Sequence, residues 1–394
     1  MITVLLIIIY VVFIGLGLPD SVLGTAWPAM YPDLNLPVGN ASILTIIMSV
    51  CTALASYFSA RLINKFGTGL VTAVSTLLTA LSLLGFSLAN SMLFLCLVGI
   101  PLGLGAGAID SALNNYVATR YKSTHMNFLH AFYGVGVMIS PLILSITLHG
   151  NGGWRDGYLF VFAIQAVIFI ASIIALPLWK KVKEQTPAHE NYTPITLTLK
   201  QMVKMPAVKM AWIVFFSTCA LEFTCGTWGA TYLVNSVGIT ESTAAIYLML
   251  YYAGITSSRF ISGLISTKVS AKNIVFTGSA IIAVGILVLI FPLPTTIKGL
   301  GLLLIGLGNG PTFPNLTYLT PSFFGKDISQ SIVGTIMVAC NLGICLMPPV
   351  FGLLAQYVNI GLLPYFLAVL FIIMLVFEIT YIKMPKQKSS DLKF

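Results

Sequence analysis

The stretch LGLPDSVLGTAWP at residues 16–28 places one carboxylate, Asp20, inside a long apolar run. Residues 221–233, LEFTCGTWGATYL, repeat the arrangement in the second half of the chain with Glu222. In both copies the acid is followed by a glycine, a threonine and a tryptophan: Gly24, Thr25 and Trp27, then Gly226, Thr227 and Trp228. An acid within hydrocarbon is costly and usually marks a functional site. The repeat therefore predicts two related halves around a shared midplane site.

The composition is that of a membrane protein. Of 394 residues, 57% are hydrophobic and only 8% are charged, too few for the surface of a soluble protein of this length. The net charge of +9 does not indicate a nucleic-acid partner, because 17 of the 20 Lys and Arg residues lie in five loops and the C-terminal tail on one side of the predicted bundle. Basic loops face the cytoplasm, so both termini are predicted to be cytoplasmic.

Twelve apolar segments are long enough to span a bilayer, which takes about 20 helical residues. They are predicted at 2–30, 40–61, 69–90, 92–118, 126–148, 157–179, 209–236, 242–264, 273–293, 299–322, 329–352 and 361–383. The first is expected to be a retained helix and not a signal peptide, since it lacks a basic n-region and a cleavage site. The predicted fold is an all-α membrane protein with twelve transmembrane helices in two pseudo-symmetric bundles. The predicted domains are an N-terminal six-helix bundle at 1–179, a cytoplasmic linker at 180–206, and a C-terminal six-helix bundle with a short cytoplasmic tail at 207–394.

A short basic turn, ARLINKFGTG at 60–69, separates two apolar segments, and GLISTKVSAK at 263–272 echoes it in the second half. The first turn resembles the loop between helices 2 and 3 of the major facilitator superfamily. That loop runs Gly, three residues, Asp or Asn, a basic residue, any residue, Gly, any residue, basic. The residues that match are Asn64, Lys65 and Gly67, with Gly263 and Lys268 kept in the second copy. The resemblance implies the major facilitator fold, with these turns as gating loops.

Within that superfamily the chain is most similar to the fucose permease group of sugar:proton symporters. The similarity rests on Asp20, on an acid in a glycine-rich fourth segment (Asp110), on the string around Glu222, and on GLGNGPTFPN at 306–315. It implies a secondary transporter of a bacterial cytoplasmic membrane that carries a sugar together with protons.

Three acids are predicted to couple transport to protons: Asp20, Asp110 and Glu222. Asp110 shares a helix face with Asn114, which we expect to contact the substrate. Asp20 is expected in the outer half of the bundle, where burial would favour its neutral form. The alternatives remain open: Asp20 as an acid at a wet helix end, Asp110 as a buried packing residue, and Glu222 as a hydrogen-bonded structural acid.

Side chains that can bind hydroxyl groups gather in the second half. Asn309, Phe313 and Asn315 surround two prolines that should break the tenth helix, and broken helices at membrane depth are tolerated where they line a cavity. Amides both donate and accept hydrogen bonds, as a hydroxylated substrate requires. Asn341 is a further candidate amide. The alternative is a helix kink stabilised by local amides.

Aromatic and ionisable residues complete the candidates. Trp27 and Trp228 are predicted either to stack on a sugar ring or to belong to an interfacial aromatic belt. His130 and Tyr133, in the cytoplasmic third of the fifth helix, are secondary candidates for substrate binding. Arg259 and Glu378 are expected near the inner boundary, with Arg259 packing in the gate and Glu378 reaching water.

These residues favour proton-coupled symport of a neutral hydroxylated solute, such as a monosaccharide, by alternating access. Sodium coupling remains open. The alternative is efflux of amphipathic drugs or lipids by proton antiport. An enzyme is not expected, because the sequence shows no phosphate cradle, metal cluster or nucleophile–base pair. The expected partners are the solute, protons and the lipid bilayer, with no cofactor, no metal and no nucleic acid, and the chain is expected to be a monomer. The six cysteines fall inside predicted helices and are expected to pack as small apolar residues.

Overall fold

The computed structural model describes residues 2–121, 123–150, 152–185, 197–266 and 268–384. Within these ranges the chain is helical and contains no β-strand. The α-helices are α1 Ile2–Asp33, α2 Ala41–Phe66, α3 Thr68–Ser87, α4 Met92–Arg120, α5 Ser123–His149, α6 Gly153–Ile174, α7 Leu176–Gln185, α8 Leu199–Val203, α9 Pro206–Tyr232, α10 Glu241–Ile265, α11 Ala271–Ile290, α12 Thr295–Asn309, α13 Thr312–Phe324, α14 Lys326–Leu354 and α15 Leu363–Lys383.

Twelve membrane passes are formed by α1–α6 and by α9–α15, with α12 and α13 together making one pass. Nine helical stretches of the described chain are long and apolar enough to cross a membrane, the last of them running through both α14 and α15. The less apolar α10 and the interrupted α12–α13 pass complete the twelve. The predicted all-α fold of two six-helix bundles is confirmed.

The tenth pass is broken where its prolines predict a break. Helix α12 ends at Asn309 and α13 begins at Thr312, with Gly310 and Pro311 between them. A proline has no backbone N–H to donate and its ring clashes with the preceding turn, so the helix cannot continue through it undisturbed. The freed Gly310 carbonyl accepts a hydrogen bond from Arg259 Nε at 3.1 Å.

The start of α1 and the end of α15 lie on the same side of the bundle, here named the terminal face. The ends of α2, α4, α10 and α13 lie on this side too. Only Gly67 separates α2 from α3, and its φ of +83° is a conformation that favours glycine. The echoing turn after α10 is longer, spanning 266–270, so the two basic turns differ in geometry. Its Thr267 lies outside the described residues, as do Lys122, 186–196 of the predicted linker, and the tail beyond 384.

The two bundles contact each other beyond mid-membrane, toward the opposite face. Gly39 donates its N–H to Gln356 Oε1 at 2.9 Å, Asn235 donates to the Tyr31 hydroxyl at 2.8 Å, and Ser242 donates to the Ser145 carbonyl at 3.1 Å. These are the hydrogen bonds that join the bundles within the described chain. Since they lie toward one face, they close the interface between the bundles on that side.

Candidate functional site

Asp20 is exposed although it lies in the middle of a buried helical stretch. Residues 15–19 and 21–28 of α1 are all buried, whereas Asp20 is exposed. Its carboxylate accepts a hydrogen bond from the Tyr133 hydroxyl of α5 at 2.5 Å. A single exposed acid among buried neighbours at membrane depth must face an internal cavity.

That cavity lies between the two bundles. It has an open volume of about 390 Å³ including its mouth, and α1 and α5 of the first bundle and α9 and α10 of the second contribute its walls. Asp20, Tyr133 and Glu222 line it together with Tyr252 and Arg259. Two of the three predicted acids therefore share one chamber.

Glu222 is held from two sides. Arg259 Nη2 donates to Glu222 Oε1 at 3.3 Å, and Asn309 Nδ2 donates to Glu222 Oε2 at 2.9 Å. The Tyr251 hydroxyl donates to the backbone carbonyl of Glu222 at 2.9 Å. The side chains of Arg259 and Glu222 are 22% and 17% exposed, so the ion pair borders the cavity without being open to bulk water.

The expectation that Arg259 packs in the gate near the inner boundary is wrong. Because Glu222 lies on the facing helix and Gly310 leaves a free carbonyl, the guanidinium is held at the cavity wall and does not reach the membrane surface. Tyr252 and Thr256 also line the cavity, and neither was among the residues predicted from the sequence. The spacing of four and three residues from Tyr252 through Thr256 to Arg259 is that of one helix face, and it could have identified them.

Asp110 lies outside the walls of this chamber but close to it. It is exposed and accepts a hydrogen bond from Asn114 Nδ2 at 2.8 Å, one helical turn away. Asp20 is just past the middle of α1, and its partner Tyr133 is nearer the middle of α5 than expected. The acids thus lie near mid-membrane and not at one surface.

Four other predicted binding residues do not line this cavity: Asn315, Phe313, Asn341 and His130. Asn315 is buried and its amide donates to Ser262 Oγ at 2.8 Å and to the Pro311 carbonyl at 2.7 Å. The Phe313 ring packs edge-on against Phe215 at 5.5 Å. Asn341 and His130 are exposed, and the His130 ring lies edge-on to Phe13 at 6.0 Å. Asn315 and Phe313 thus connect α13 to α10 and α9, and their role in substrate binding stays a prediction.

The two tryptophans lie away from the cavity. Both are fully buried. Trp27 Nε1 donates to the Val38 carbonyl at 2.8 Å and Trp228 Nε1 donates to the Pro348 carbonyl at 2.8 Å. The Trp27 ring packs near Tyr31 and the Trp228 ring near Phe351, each within its own bundle. Neither ring lines the cavity, and their full burial does not match a lipid-facing aromatic belt.

The predicted loop residues and Glu378 are peripheral to the cavity. Asn64, Lys65, Gly67, Gly263 and Lys268 are all exposed at the terminal face. Glu378 was expected to reach water, but this expectation is wrong. Its side chain is fully buried where α15 packs against α11, and Ser279 Oγ donates to its carboxylate, at 3.0 and 3.1 Å from the two oxygens. Among the six free cysteines, Cys219, Cys225 and Cys340 are buried and Cys51, Cys96 and Cys345 are partly buried.

Comparison with known proteins identifies related chains. The model of the family described as Major Facilitator Superfamily matches residues 9–348. A cis,cis-muconate transport protein of Acinetobacter baylyi is 23% identical, over 84% of this chain and 82% of that protein. A probable nitrate transporter, NarT, of Staphylococcus haemolyticus is 25% identical, over 82% of each chain. The glucose/mannose transporter GlcP of Bacillus subtilis is 21% identical, over 82% of this chain and 80% of that protein.

The fold also matches solved structures. A crystal structure of a D-xylose-proton symporter superposes with a TM-score of 0.76 at 12% identity, covering 98% of both chains. At this identity the match shows the architecture alone. The relatives are transporters and not enzymes, but their names cover neutral sugars and anions alike.

Proposed function

The chain belongs to the Major Facilitator Superfamily, and from this premise we propose that it is a proton-coupled symporter of a neutral hydroxylated solute, such as a monosaccharide. The observation that carries the proposal is Asp20, an exposed carboxylate inside the membrane at the boundary between the two bundles. A carboxylate in such a site can bind a proton on one side and release it when the cavity opens to the other. Asp110 is proposed as the second proton-binding group, since it is another exposed carboxylate within a membrane-spanning helix.

The charges of the cavity favour a neutral solute. Its cation, Arg259, is paired with Glu222, while Asp20 contributes a further negative charge and Asp110 lies nearby. With the acids ionised, the cavity has a net negative charge, which opposes entry of an anion. The hydroxyls of Tyr133, Tyr252 and Thr256 can donate and accept hydrogen bonds from a sugar.

The orientation follows from the basic residues. Arg61, Lys65, Lys268 and Lys272 lie at the terminal face, whereas Arg155 and Lys298 lie toward the opposite face. We assign the terminal face to the cytoplasm by the positive-inside rule, in the cytoplasmic membrane of a bacterium. We further propose a monomeric carrier in which 1–179 and 207–394 move as two units about the linker at 180–206.

The test is uptake by purified protein in liposomes. Counterflow against a panel of neutral monosaccharides identifies the solute, and an imposed pH gradient then drives its accumulation. Asp110→Asn should abolish accumulation against a gradient while exchange persists, because exchange needs no net proton movement. Undiminished proton-driven accumulation by Asp110→Asn would exclude the coupling role of this residue.

An organic or inorganic anion is the competing substrate, favoured by the presence of Arg259 in the cavity wall and by the muconate and nitrate relatives. For an anion to bind there, Arg259 would have to leave Glu222 or bind both. Counterflow with nitrate and cis,cis-muconate alongside the sugars separates the two substrates directly.

A further inference from the structure

Glu222 and Arg259 form an ion pair in the wall of the cavity. Glu222 is one of three acids in the predicted proton-coupling set, yet it alone has a guanidinium on one oxygen and an amide donor on the other. Both oxygens of the carboxylate therefore accept from donors on neighbouring helices, Arg259 of α10 and Asn309 of α12.

Two hydrogen-bond acceptors hold the Arg259 guanidinium in place. Its Nε is bound to the Gly310 carbonyl at the break between α12 and α13, and its Nη2 is bound to Glu222. The side chain nevertheless borders the cavity, where a bound solute would lie. A guanidinium at the wall of a cavity is a strong binding group for carboxylate or nitrate when it has no other anion beside it.

Resting on the function proposed above, we propose that Glu222 is the residue that determines the charge selectivity of the cavity. By pairing with Arg259 it occupies the cation that an anionic solute would need, and its own charge repels that solute. The ion pair thereby keeps a polar, hydrogen-bonding wall that is electrically neutral. Sugars can use such a wall and uronates cannot.

The inference is tested with pairs of probes that share a ring and differ only in charge: D-glucose with D-glucuronate, and D-galactose with D-galacturonate. Each probe competes against the sugar identified by counterflow, in liposomes containing wild type or Glu222→Gln. The readout is the ratio of the inhibition constant of the uronate to that of its neutral partner. This ratio is insensitive to a general loss of activity.

We expect the wild-type ratio to exceed about 10 and the Glu222→Gln ratio to fall by at least about tenfold, because one unit of negative charge has been removed beside the solute. The double variant Glu222→Gln/Arg259→Gln should raise the ratio again, since it removes the cation that attracts the uronate. An unchanged ratio in Glu222→Gln overturns the inference. If Glu222→Gln does not fold, Glu222→Asp provides the comparison, because its shorter side chain leaves Arg259 partly unpaired and should lower the ratio by about threefold; an unchanged ratio would likewise overturn the inference.

Failure of the proposed function gives a different pattern. In that case wild type takes up no neutral sugar in counterflow, whatever the variants do. Thermal stabilisation of purified protein by cis,cis-muconate then tests charge selectivity without transport. Stabilisation of Glu222→Gln but not of wild type supports the inference, and equal stabilisation of the two contradicts it.

Discussion

Gly24 lies where α1 of the first bundle contacts α9 of the second, so Gly24→Ala should destabilise the state described here. A methyl group at this position would lie 2.4 Å from the Gly226 carbonyl oxygen and 3.0 Å from Thr227 Cα, whereas ordinary contact begins at 3.4 Å. These are backbone atoms of the other bundle and cannot rotate away. The bundles must therefore separate by about 1 Å at this point, or tolerate the overlap.

The cost can be estimated from overpacking in protein interiors, which is about 1–3 kcal/mol. It applies only while the bundles are joined toward the opposite face, because opening there removes the contact. The equilibrium between the two states should then shift toward opening by about 5- to 150-fold. The α1 helix itself should not suffer, since alanine has a higher helix propensity than glycine.

The shift is measurable as a distance distribution between spin labels at Leu88 and Tyr357, two exposed positions toward the opposite face in different bundles. The native cysteines are replaced beforehand. Gly24→Ala should add a longer-distance population that is minor in the parent protein. Gly334→Ala is the matched control, because no atom lies within 4 Å of its added methyl group. A folded Gly24→Ala protein with the parent distribution would refute the reasoning.

Three further outcomes are expected. Tyr133→Phe removes the hydrogen-bond donor to Asp20 and should lower proton-driven uptake, because the carboxylate is no longer held by α5 at the cavity wall; unchanged uptake by a folded variant would mean that this hydrogen bond has no part in transport. Gly67→Ala should lower thermal stability by about 1–3 kcal/mol, since its φ of +83° strains any side chain, whereas Gly263→Ala, with open space around it, should not; equal melting temperatures would contradict this. Glu378→Gln should keep uptake and stability because the amide oxygen can still accept from Ser279; a loss of uptake in a stable protein would instead show that Glu378 acts in transport.

The fold could be predicted because long apolar segments indicate membrane-spanning helices and basic loops indicate the side of the membrane on which they lie. The break at Pro311 and the positions of all twelve passes follow from residue types alone. The exposure of Asp20 amid buried neighbours does not, because it depends on how α1, α5, α9 and α10 pack around the cavity. Sequence identifies the acid but not the cavity.

The position of the Arg259 side chain could not be predicted from the sequence. A cation within about two turns of a helix end can reach water along its own stem, so a surface position is the natural expectation. Its actual position depends on two groups distant in sequence, the Glu222 carboxylate on α9 and the Gly310 carbonyl exposed by the helix break. The same holds for Trp27 and Trp228: the sequence shows that they repeat, but their full burial depends on how the helices pack around them.

The central claim is that acids facing a chamber between the bundles bind the protons that drive a neutral solute across the membrane. Its most direct test is the external pH of weakly buffered proteoliposomes on addition of the monosaccharide found by counterflow. Wild type should show alkalinisation that starts with sugar addition and is absent from the Asp20→Asn/Asp110→Asn protein. Sugar entry without any pH change in wild type, or an equal change in the double variant, would contradict the account.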